Sequence, residues 1–107
     1  MLFEALFESA KRGELLLYEG GMCHYHVRRD GLLTIREILC WPPCQGVGSR
    51  ILERLKEVGR ERGCEVIVAK CPDELEANAW YEKKGFHFAC QERTQTGRFV
   101  NVWRLPL

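Results

Sequence analysis

The sequence predicts an α/β fold of the α+β kind, with a mixed, mainly antiparallel sheet and one parallel strand pair joined by a crossover helix. Three observations carry this. From Leu15 to Cys40 the hydrophobic pattern has the period of strands; from Gly46 to Arg62 it changes to 3.6, with Val47, Ile51, Leu52, Leu55 and Val58 on one face. A continuous apolar run, Glu65-Val66-Ile67-Val68-Ala69, then suits a strand covered on both faces. Strand, long helix and buried strand in that order imply a right-handed crossover between parallel neighbours.

The elements follow in chain order. Residues 2 to about 12 read as a short amphipathic helix, with Leu2, Phe3, Leu6, Phe7 and Ala10 at helical spacing and Gly13 at its end. Leu15-Leu16-Leu17-Tyr18 reads as a strand stopped by Gly20-Gly21. Arg29-Asp30-Gly31-Leu32 is a hairpin signal between strands near Met22–Arg28 and Leu32–Cys40. Trp41-Pro42-Pro43-Cys44 breaks any ladder, since successive prolines remove two donors. After the long helix, closed by Gly63, and the buried strand, Asp73 and Glu76 resemble a capping box opening a second helix. Gly85 sits where a left-handed C-terminal cap belongs. Phe86–Glu92 and Arg98–Leu105 form the last two strands, turning at Thr96-Gly97.

The 107 residues allow one domain, 1–107. Hydrophobic residues at 46% and charged residues at 29% exclude a disordered chain. The formal net charge of +1 argues against nucleic acid as a partner, leaving Arg28-Arg29 as the sole handle for one. No apolar run approaches the ~20 residues of a membrane span, and Met1–Glu8 carries acids where a signal peptide would be basic. The expectation is a cytoplasmic domain with no membrane partner. Its 6 cysteines are expected as reduced thiols, with Cys40, Cys64 and Cys71 at strand ends as small buried hydrophobes. A zinc site from Cys23, His24, His26, Cys40 and Cys44 is disfavoured: there is no C-x-x-C pair, and strand alternation prevents Cys23, His24 and His26 from facing one side. No metal is expected.

The informative segment is Gln45-Gly46-Val47-Gly48-Ser49-Arg50, at the start of the long helix. A helix N-terminus leaves amides unpaired and carries about half a positive charge, and glycines let an anion approach, so the turn suits a phosphate or diphosphate. It is not a P-loop, because Ser49-Arg50 stands where Lys followed by Ser or Thr is needed. It is not the dinucleotide fingerprint either, because Ile51 stands at the third glycine. Downstream lies Asn78-Ala79-Trp80-Tyr81-Glu82-Lys83-Lys84-Gly85-Phe86.

Together the two segments resemble the GNAT superfamily of N-acyltransferases. The family's R/Q-x-x-G-x-G/A turn matches at Gly46 and Gly48, and its Tyr-x-x-x-Gly-Phe helix end matches at Tyr81, Gly85 and Phe86, with Asn78 upstream. Pro43 replaces the Arg or Gln three residues before the first glycine, with Gln45 adjoining the turn. The single N-terminal helix is less than family members usually carry, so the resemblance speaks more to the coenzyme than to the acceptor.

The resemblance implies acetyl transfer from acetyl-coenzyme A to an amine acceptor, small molecule or protein, by direct attack. Tyr81 matches the family's proton donor to the leaving thiolate; a phenol stays protonated at neutral pH. Asn78, three residues earlier on the same helix, is expected to face the coenzyme with it. The backbone of Ile38, Leu39 and Cys40 is implied as the strand that grips pantetheine. Gln45, Gly46, Val47, Gly48, Ser49 and Arg50 are expected to hold phosphate. An alkylamine with pKa near 10.4 is only about 0.04% neutral at pH 7, so a base is needed. Glu37, in an apolar strand, is the first choice; the alternative is a solvated residue paired across the hairpin. His24 and His26 come second. Cys44 beside the helix N-terminus is the last, as a nucleophile. The competing reading is a module of the same fold that binds the coenzyme or a partner without turnover. Pairing of two copies to protect a sheet edge is a further expectation.

Overall fold

The computed structural model describes Glu4 and residues 11–41 and 46–107. The helix expected over residues 2 to about 12 lies almost wholly outside them, as do Pro42, Pro43, Cys44 and Gln45. Six strands, β1 (Leu15–Tyr18), β2 (Gly21–Val27), β3 (Leu32–Cys40), β4 (Val66–Pro72), β5 (His87–Arg93) and β6 (Phe99–Pro106), form one sheet in the order β1-β2-β3-β4-β6-β5. Only β3 and β4 are parallel, and α1 (Val47–Glu61) joins them; α2 (Ala77–Lys83) follows β4.

Local chemistry sets the turns. The β2–β3 loop closes with the Arg28 N–H donating to the Leu32 carbonyl at 2.8 Å, and Gly31 takes φ 84° there. The β5–β6 loop repeats the pattern, Thr94 N–H to Arg98 carbonyl at 2.7 Å with Gly97 at φ 85°. Such three-residue loops need one left-handed residue before the second strand. Both helices end in the same left-handed motif: Gly63 N–H donates to Arg60 and Cys64 N–H to Gly59, while Gly85 donates to Glu82 and Phe86 to Tyr81. The second start is a correction. No side chain caps α2, whose Glu76 N-cap is itself helical, so Asp73 and Glu76 form no capping box.

Helix α1 packs Val47, Ile51, Leu52, Leu55 and Val58 onto Cys23, Tyr25, Leu33, Ile35, Ile67 and Ala69, and Tyr81, Phe86, Trp103 and Leu105 extend the same core beneath α2. Both helices therefore cover one face. Ile67, Val68 and Ala69 are all buried, in keeping with a strand covered on both sides. At the other end of the sheet Glu14 is buried, accepting from the Val27 N–H at 2.8 Å and from Arg12 Nε at 2.8 Å, with His26 Nδ1 at 3.1 Å. Burial alone would push this carboxyl up; the Val27 amide, Arg12 and His26 override it and pull it down to about 2.

Candidate active site

The site begins where two strands part. β3 and β4 run together over four pairs, from Leu32 opposite Val66 to Ile35 opposite Ala69. Beyond them β4 continues to Pro72 along β6, and β3 to Cys40 along β2. The parting coincides with a bulge. Tyr25 pairs with Ile35 and His24 with Glu37, leaving Arg36 as an extra residue. A bulge bends and twists its strand, so β3 turns away from β4. Among the described residues, the β4-facing edge of β3 from Arg36 to Cys40 has no strand partner.

A cleft of about 630 Å³ occupies the resulting notch. One wall is Ile38, Leu39 and Cys40; the second is Gly46, Val47, Gly48 and Ser49; the third is Ala77, Trp80, Tyr81, Lys83 and Lys84. The implied strand segment and all of the glycine turn except Gln45 and Arg50 thus meet at one place. Gly46 is the N-cap of α1 at φ 77°, with no side-chain cap. The amides of Val47, Gly48 and Ser49 consequently have no intrahelical acceptor and carry the positive end of the helix dipole. A Cβ on Gly46 would meet nothing within 4 Å, so the turn is open to a ligand. Gly48 has a different reason. Its Cβ would lie 3.2 Å from Trp80 Cζ2 and 3.5 Å from Cys40 Sγ, so glycine is what lets α2 close against α1.

Tyr81 is both packed and available. Its ring is 5% exposed, edge-on to Trp80 at 5.2 Å and Phe86 at 5.1 Å, and stacked with Trp103 at 6.5 Å. The ring therefore belongs to the core, and its packing alone would account for an aromatic residue here. Among the described residues the hydroxyl has no hydrogen-bond partner, while Tyr81 lines the cleft. Burial pushes the phenol above its ordinary pKa, with Cys71 and Cys23 acting in the same direction. It holds its proton at every physiological pH.

Two expected ligands are turned elsewhere. Asn78 does not line the cleft: its Oδ1 accepts from Trp103 Nε1 at 2.9 Å and Asn101 Nδ2 at 3.0 Å, and its Nδ2 donates to the Pro72 and Leu75 carbonyls at 2.8 Å each. This carboxamide ties α2 to β4 and β6. The Arg50 guanidinium lies over the Tyr18 ring at 5.4 Å, outside the cleft, and the Arg50 backbone N–H already donates to the Gly46 carbonyl at 3.2 Å. Glu37 is half-buried, one residue before the cleft wall; its partner His24 places it on the face away from the helices. His24 is buried without a hydrogen-bond partner among the described residues, and burial, then Arg36, lowers its pKa. His26 is held by Glu14. Cys23 faces the helices and the two histidines face away, as alternation requires. Gln45 and Cys44 lie outside the described residues.

The α2 wall contains residues that sequence reasoning passed over: Ala77, Trp80, Lys83 and Lys84. The signal was present, because 77, 80, 81 and 84 have the i, i+3, i+4, i+7 spacing of one helix face, and Asn78 lies off it. Among the described residues no helix is long and apolar enough to cross a membrane.

Residues 7–86, three quarters of the chain, match the Acetyltransferase (GNAT) family. No curated protein sequence matches the chain. Among solved structures, the ribosomal-protein-S18-alanine N-acetyltransferase from Escherichia coli is similar with a TM-score of 0.73 at 24% identity, over 96% of this chain and 76% of that one. The Bacillus subtilis acetyltransferase in complex with CoA gives 0.70 at 16% identity, over 82% of this chain and 69% of that one. Nourseothricin acetyltransferase gives 0.74 at 20% identity, over 81% of this chain and 57% of that one. At these identities the likeness is one of fold. The parted strands, the glycine turn and the buried tyrosine are the parts of that fold which the sequence match spans, and the chain belongs to the GNAT acetyltransferase family.

Proposed function

We propose that this chain is an acetyl-coenzyme A-dependent N-acetyltransferase that passes the acetyl group to an amine by direct attack. The observation that carries it is Tyr81: a buried phenol whose hydroxyl has no partner among the described residues, in a cleft that also holds a helix N-terminus and a strand edge unpaired among those residues. That donor set fits the coenzyme. The amides of Val47, Gly48 and Ser49 suit a diphosphate, and the free edge of Ile38–Cys40 suits the amide groups of pantetheine in the manner of an added strand. Lys83 and Lys84 add positive charge at the rim.

When bound, the coenzyme supplies the acetyl group as an activated thioester. The chain's own residues do the rest. The split in the sheet separates the two approaches, with the helix-covered cleft on one side and Glu37 on the other. Glu37 receives the amine's proton. Tyr81, kept protonated by burial, donates to the departing sulfur.

The test is calorimetry with acetyl-coenzyme A followed by thiol-release assays on an amine panel, using wild type and Tyr81→Phe. The variant keeps the ring and its packing, so coenzyme affinity and melting temperature change little. Its rate constant falls by about 10²–10⁴, because the lost interaction belongs to the transition state. Full turnover by Tyr81→Phe refutes the donor assignment. Coenzyme binding with no thiol release on any amine identifies a binding module instead.

A further inference from the structure

The bulge that parts the strands also places two opposite charges side by side. In a bulge, two residues of one strand stand opposite one residue of its partner. Here Arg36 and Glu37 stand opposite His24, on the face away from α1 and α2, where β3 leaves β4. The guanidinium of Arg36 is exposed and pairs with no carboxylate among the described residues. On the adjoining strand, Lys70 follows Ala69, the partner of Ile35, and its ammonium pairs with Glu92 instead. His24 adds no competing charge at neutral pH, since burial and then Arg36 itself hold the imidazole below its ordinary pKa.

We infer that Arg36 and Glu37 form an acceptor site for an amino-carboxylate, a molecule whose reacting amine lies within a few bonds of a free carboxylate, as in a free amino acid. The inference rests on the acetyltransferase reading above. Arg36 takes the carboxylate, for which a planar guanidinium is the natural bidentate partner. Glu37 faces the ammonium group and receives its proton. The peptide bond following a polypeptide N-terminus offers an uncharged carbonyl at the same distance from the amine. It forgoes the charge-assisted pair, so the site favours free amino acids over protein N-termini.

The experiment compares acetyl transfer to a panel of amino acids with transfer to the matching amino-acid carboxamides, in wild type, Arg36→Gln and Arg36→Lys. For the preferred amino acid, kcat/KM exceeds that of its carboxamide by about 10- to 100-fold in wild type, the range of one charged hydrogen-bonded contact. The ratio collapses toward one in Arg36→Gln and returns in part in Arg36→Lys. Equal rates for acids and carboxamides in wild type, or an undiminished preference in Arg36→Gln, overturn the inference and leave the acetyltransferase reading standing. If no amine is acetylated, that reading fails, and the Arg36 Nε–Hε resonance decides the site: a saturable shift on titration with the amino acids supports it, and no shift overturns it.

Discussion

Replacing Asn78 by alanine separates a structural role from a coenzyme contact. The side chain makes five hydrogen bonds, accepting from Trp103 and Asn101 and donating to the Pro72 and Leu75 carbonyls and, at 3.4 Å, to that of Asp73. Each neutral bond is worth about 0.5–1.5 kcal/mol net, and leaving a buried donor unpaired costs about 1–3 kcal/mol. The bond to Trp103 counts most, since that residue is only 6% exposed and, among the described residues, no other acceptor is bonded to its indole N–H. The carbonyls and Asn101 are nearer solvent, so water replaces part of what is lost. The sum is about 3 kcal/mol, which lowers the melting temperature of a domain of this size by about 15 °C. Urea unfolding followed by tryptophan fluorescence measures the loss, and calorimetry below the transition measures acetyl-coenzyme A binding. Affinity should stay within about threefold of wild type, because the carboxamide does not line the cleft. A loss under about 1 kcal/mol accompanied by binding tenfold weaker would refute the reasoning and put Asn78 on the coenzyme.

Gly46→Ala and Gly63→Ala form a matched pair: both positions have φ above 70° and no atom within 4 Å of the added Cβ. Each should lose about 1–2 kcal/mol in urea unfolding, but only Gly46→Ala should weaken coenzyme binding in calorimetry; equal affinities would remove the phosphate role of the turn. Glu14 should make the fold acid-sensitive. Its carboxyl lies at about 2, below the ordinary 4.5, so its contribution, about 3 kcal/mol, is complete above pH 4.5 and is lost as pH falls toward 2. The stability gap between wild type and Glu14→Gln, measured by urea unfolding at pH 7 and pH 3, should narrow at the lower pH; a constant gap would refute the assignment.

Much of the scaffold is legible in short stretches of sequence. Asp30-Gly31 and Thr96-Gly97 mark their hairpins, Gly63 and Gly85 end their helices, and the change of period after Gly46 locates α1. These features depend on backbone conformations and side-chain periods that neighbouring residues determine among themselves. The glycine turn and the Tyr-x-x-x-Gly-Phe helix end are legible for the same reason, and the structure brings Gly46, Gly48 and Tyr81 to one cleft with Ile38–Cys40.

What the local sequence leaves undetermined is pairing and aim. β4 runs on to Pro72 past the end of its apolar core because β6 pairs with it there, and β6 lies between β4 and β5. The bulge at Arg36 is invisible in a strand pattern, since it exists only as a mismatch with β2. Helical spacing brings Asn78 near Tyr81, but Trp103 and Asn101, more than twenty residues away in the chain, draw its carboxamide toward the sheet. Tyr18 likewise draws Arg50 away from the cleft. Turns, caps and periods follow from bonds between near neighbours in the chain. The split of the sheet, the cleft it opens and the direction of each polar side chain follow from partners that only the folded chain brings within reach.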